Sequence, residues 1–144
     1  MSTRSARLQP AVELAHKREQ DALQRLAEAQ QKLAHVQQQL EDLERYRREY
    51  GLGSGGMTVS ALLNRQQFVE RIDQAIAQQA REIEHRQRLL ESARVQWLKA
   101  HARERALDSV VERYRVQETQ REQRLEQAEV DERMQYRRRP SDPA

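Results

Sequence analysis

Cysteine is absent from the 144 residues, so no disulfide framework can form and no thiolate can hold a metal. Nothing in the chain calls for an oxidising compartment. Apolar runs are short as well. Nowhere do about 18 apolar residues follow one another, the length a membrane-spanning helix needs, and the N-terminal Met1 to Arg7 leads into no apolar stretch. No signal peptide, membrane span or membrane insertion is expected, and a cytoplasmic location is the default. Aromatics make up only 4% of the chain and hydrophobic residues 37%, against 34% charged. That balance excludes a thick globular core.

Ala, Leu, Glu, Gln and Arg are abundant instead, the residues that lose least on entering a helix. The same low apolar content also suits a disordered chain, so the decision rests on whether the apolar residues keep a period. The 26 basic and 23 acidic residues leave a net charge of +3 and alternate along the chain, as on a solvated helix surface. Nucleic-acid binding would want Lys and Arg gathered on one stripe, with aromatics interleaved for single strands, and no such stripe is visible. The pure basic run Arg137-Arg138-Arg139 adjoins Pro140, in a tail (137–144) expected to be disordered.

All four glycines fall within residues 51–56. Glycine ends helices and reverses chains most cheaply, so residues 51–57 are read as a hinge. Before it, positions 8, 12, 15, 19, 22, 26, 29, 33, 36, 40, 43, 47 and 50 advance by alternating steps of four and three. Eleven of the thirteen are apolar, the exceptions being Glu19 and Arg47. A heptad seam this regular excludes disorder and predicts one helix over about 8–50. Ala15, Ala22 and Ala29 give it three thin layers, and Pro10 is compatible only with its first turn.

After the hinge, Thr58 and Asn64 are both candidate N-caps, Asn64 with Gln67 three residues on as in a capping box. The second seam runs Val69, Ile72, Ile76, Ile83, Leu90, Ala93, Trp97, Ala100, Leu107, Val111 and Tyr114, with Gln79, Arg86 and Glu104 as polar insertions. It then thins to Leu125 and Ala128. The fold class expected is all-α: one domain, residues 1–136, of two long helices, about 8–50 and 60–136, forming an antiparallel coiled-coil hairpin. Closing the hairpin at the hinge would set Tyr50 near Thr58 and Leu8 near Ala100. Helix two, roughly 115–120 Å long at 1.5 Å per residue, would then overhang helix one from about residue 108 to 136, roughly 40 Å. A lone helix with a weak apolar stripe is marginal in water, so this overhang either awaits a partner, frays or self-associates.

Chemistry is sparse. Glu13 with His16, and Glu82 with His85, reproduce the Glu-x-x-His spacing of di-iron bundles, but that spacing holds metal only when both side chains point into a four-helix core with two more carboxylates, and here both pairs flank or face away from the seam. No metal, cofactor or catalytic residue is expected. The glycine cluster lacks the Lys-Ser or Lys-Thr of a phosphate loop, and a two-helix hairpin offers no pocket to desolvate a nucleophile. An enzyme is not expected. Tyr46 and Phe68 lie off the seam on either side of the hinge, and Phe68, Ile72 and Ala75 share one helix face. That patch is either a protein contact or packing over the hinge.

Taken together, Arg7-Leu8 with Leu14-Ala15, Tyr46-x3-Tyr50, Phe68-x3-Ile72-x2-Ala75-Ile76-x2-Gln79, Arg105-Ala106-Leu107-Asp108, and Glu122-x3-Glu126-Gln127 leading to Asp131-Glu132 resemble the flagellar export protein FliJ family over nearly the whole chain. The resemblance implies an antiparallel coiled coil similar to the central stalk of rotary ATPases. It further implies a non-enzymatic stalk of the bacterial flagellar type III export apparatus, one that binds the hexameric export ATPase, contacts the export-gate protein FlhA and assists substrate chaperones. Its expected place is cytoplasmic, at the inner membrane only through the apparatus. On that reading Tyr46, Phe68, Ile72 and Ala75 face the gate, and Val111, Tyr114, Leu125 and Ala128 face the ATPase. The alternatives are an injectisome stalk of the same class, a coiled coil coating nucleic acid, and a passive spacer.

Overall fold

A computed structural model describes residues 3–51 and 56–138. They form two helices, α1 (Arg4–Gly51, 48 residues) and α2 (Val59–Arg138, 80 residues), paired antiparallel in an all-α hairpin. Residues 52–55 of the expected hinge and 139–144 of the expected tail lie outside the described residues. Arg137 and Arg138, assigned above to that tail, still belong to α2.

Each helix starts on a threonine. The Thr3 hydroxyl accepts the N–H of Ala6 at 3.2 Å and its carbonyl accepts that of Arg7 at 3.0 Å. Thr58 does the same for Ala61 and Leu62 at 3.2 and 3.0 Å. Both therefore satisfy donors that a helix N-terminus leaves open. Asn64, the other candidate cap, lies inside α2. Ahead of Thr58 the chain turns through Gly56 at φ +88°, a left-handed conformation that a Cβ would strain.

The contacts divide into two units, Glu19–Ala100 and Met1–Arg18 with His101–Ala144. Within Glu19–Ala100, Ala22, Val36 and Ile72 are the buried apolar residues. Every α2 seam position from Val69 to Ala100 is at least half-buried there, as are the α1 positions from Glu19 to Leu43. The polar insertions find partners. Trp97 Nε1 donates to Glu19 at 2.9 Å, and Gln79 Nε2 reaches the Val36 carbonyl at 3.3 Å and Gln39 at 2.6 Å. Arg86 pairs with Glu82 along its own helix at 2.9 Å. A polar residue bonded across a seam fixes register, because a one-heptad slip would strand it.

The register differs from the one expected. Tyr50 does not meet Thr58: Arg65 donates to the Tyr50 carbonyl, and the Tyr50 and Phe68 rings lie 4.7 Å apart. Arg47 pairs with Asp73 at 2.5 Å. Pairing thus begins about seven residues later in α2 than the glycine cluster suggests, and the arch includes Val59 to Asn64. Arg65 supplies a cationic donor to a carbonyl in the last turn of α1, a favourable partner for the negative end of a helix.

In the other unit, Ala15 and Val111 are the buried apolar pair. His16 Nδ1 lies 2.8 Å from Glu104, while the Ser5 N–H and hydroxyl both donate to Glu118, at 3.0 and 2.6 Å. Leu8 therefore sits against the stretch between Glu104 and Glu118, not against Ala100. Pro10 lies inside α1 and not in its first turn. It deprives the helix of one N–H, and the turn before it is held by the Thr3 cap and by Glu118. The Ser5 bonds hold the Glu118 carboxyl below the usual carboxylate range, its hydroxyl contributing most.

Candidate protein-docking surfaces

The first surface gathers around the arch. Tyr46 is 55% exposed and Phe68 42%, Phe68 spending one edge on Tyr50 in a tilted contact. Ala75 is half-buried beside them in sequence. Ile72, however, is 7% exposed and belongs to the seam, so it leaves the candidate surface. Sequence reasoning missed Val59, Leu62 and Leu63, all exposed apolar residues of the first α2 turns. Their spacing of three and four, one apolar face, was legible.

The second surface lies past Glu118. Val111 is 5% exposed beneath α1, and Tyr114 is half-buried with the Arg4 guanidinium 5.7 Å from its ring centre. Neither belongs to an overhang, which corrects the expected start at residue 108. The overhang begins after Glu118 because α1 extends back to Arg4, and its 20 residues, 119–138, span roughly 30 Å. From Thr119 to Arg137 every side chain is exposed. Leu125 and Ala128 stay candidates, joined by Val130, Met134 and Tyr136.

These five do not form one stripe. At about 100° per residue, Tyr136 falls about 20° from Leu125 and Ala128 about 60°, whereas Val130 and Met134 fall about 140° and 180° away. The overhang is apolar on two opposite faces. Its charges, five basic (Arg121, Arg124, Arg133, Arg137, Arg138) and five acidic (Glu122, Glu126, Glu129, Asp131, Glu132), cancel.

Of the two Glu-x-x-His spacings, His16 bonds Glu104 across the helices and Glu82 bonds Arg86 along α2. What the fold defines is an antiparallel two-helix coiled-coil hairpin. The sequence model of the family described as flagellar FliJ protein matches residues 4–141, and the chain belongs to that family. A comparison with curated proteins returns no match. Membership assigns a role in flagellar protein export, in association with the export apparatus. Among the described residues, no helix is long and apolar enough to cross a membrane.

Proposed function

We propose that this chain is the stalk of the flagellar export ATPase, with residues 119–138 seated in the bore of the hexameric ring and the arch turned to the export gate. The observation that carries the reading is the overhang itself. A helix apolar on opposite faces cannot be covered by a single partner helix lying along one side, whereas a ring covers it on all sides. Cancelling charges suit such a bore, since a shaft meeting six similar subunits gains from weak, distributed contacts more than from one deep anchor.

At the arch, Tyr46 and Phe68 with Val59, Leu62 and Leu63 form the surface assigned to the cytoplasmic part of the gate protein FlhA. Assistance to substrate chaperones, and a station at the inner membrane through these partners, belong to the same reading. Truncation after Glu118 is the direct test. It keeps the last α2 residue bonded to α1 and removes only the uncovered turns. ATP hydrolysis by the purified export ATPase, titrated with both forms, should be stimulated by the full chain and not by the truncated one. Equal stimulation would move the ATPase contact to the paired coil.

A further inference from the structure

The longest stretch of α1 without an acidic residue runs from 29 to 40, and its only ionisable side chains are Lys32 and His35. The bonds of Gln79 to Val36 and Gln39 bring α2 level with it, and that part of α2 carries Arg81, Arg86 and Arg88 against Glu82 and Glu84. Between the helices lies an open groove of about 420 Å³ lined by Gln31, Lys32, His35, Val36 and Arg86. Val36, 7% exposed, forms an apolar floor. Lys32 and His35 rise from the α1 wall and Arg86 from the α2 wall. Arg86 is bonded to Glu82 and His35 lies 3.2 Å from Gln39, while no carboxylate among the described residues pairs with Lys32.

We propose that this groove docks an acidic amphipathic helix of a protein partner. The chemistry is complementary: an apolar ridge on the incoming helix meets Val36, and carboxylates on its flanks meet Lys32 on one wall and Arg86 on the other. Helix-in-groove recognition needs both parts, the apolar floor for contact and the charged walls for orientation and encounter rate. A nucleic-acid strand fits the groove less well, because no aromatic side chain lines it for bases to stack on. The site is separate from the arch and from the overhang, so it stands whether or not those surfaces meet a gate and an ATPase.

The test uses the full-length protein and a fluorescently labelled synthetic amphipathic helix with leucine on one face and glutamate on its flanks, followed by anisotropy. A peptide with lysine in place of glutamate and a labelled oligouridine serve as comparison probes. The acidic peptide should bind, and its affinity should fall with salt. The Lys32→Glu/Arg86→Glu variant should lose about tenfold or more, and Lys32→Gln/Arg86→Gln several-fold, with helicity by circular dichroism unchanged. Lys17→Glu/Arg103→Glu, an equal charge change on exposed residues elsewhere, should stay within about twofold. The proposal is overturned if the wild type does not bind the acidic peptide, or if the distant reversal costs as much. It is overturned equally if oligouridine binds at least as tightly and is lost in the same groove variants.

Discussion

Glu19 is a carboxylate at a seam position, 6% exposed, and the Trp97 indole donates to it at 2.9 Å. Trp97→Phe keeps an aromatic ring in the layer and removes that donor. A hydrogen bond to a charged group contributes about 1.5–3 kcal/mol net, and a buried acceptor that loses a partner keeps its desolvation cost. The variant should therefore lose roughly 2 kcal/mol, about thirtyfold in the folding equilibrium. At this chain length such a loss lowers the melting midpoint by roughly 4–8 °C. The assay is urea and thermal unfolding followed by far-ultraviolet circular dichroism. Adding Glu19→Leu should rescue Trp97→Phe to wild-type stability or above, since an apolar residue then fills the layer, no buried carboxylate is left, and the exposed Gln20 that also donates to Glu19 can turn to water. A loss below about 0.5 kcal/mol for Trp97→Phe, or no rescue by Glu19→Leu, would refute the view that this layer is held by a buried polar bond.

Glu118→Gln should loosen α1 ahead of Pro10, seen as faster amide hydrogen exchange for residues 4–9 with the rest of α1 unchanged. Because Ser5 lowers the folded-state pKa of Glu118, its contribution is complete above the ordinary carboxylate pKa and is lost as pH falls through the lowered one. Acidification across that window should produce the same local exchange in the wild type and no further change in Glu118→Gln. Tyr46→Ala with Phe68→Ala should weaken binding to the isolated gate domain by about tenfold while helicity persists, in line with truncating two partly exposed aromatics at a contact. Unchanged affinity would leave the two rings as packing for the arch.

The two helices, their seam and the break between them were legible because each is a local signal. A period of three and four marks a helix face, and clustered glycines mark a reversal. Register was not, because glycine tells where a chain can turn and not where pairing resumes. That is decided by particular long-range partners: Arg65 at the Tyr50 carbonyl, Asp73 at Arg47 and Gln79 across to Val36. The same distinction explains the candidate sites. Tyr46 and Phe68 were found from being off the seam, whereas Val59, Leu62 and Leu63 became uncovered only once the register had shifted. Val111 moved the other way, since the helix before Pro10 depends on Glu118, more than a hundred residues distant in sequence. No local rule about proline could have anticipated it.

A partner that surrounds α2 beyond Glu118 would be reached by photo-crosslinking from opposite faces of that helix. A photoreactive residue is placed at Leu125 in one protein and at Met134 in another, about 180° apart around the helix axis. Each is mixed with the purified export ATPase and nucleotide, irradiated and analysed by gel and mass spectrometry. ATPase adducts are expected from both positions, on residues facing the ring's bore. Adducts from one face only, or from neither, would contradict a surrounding partner.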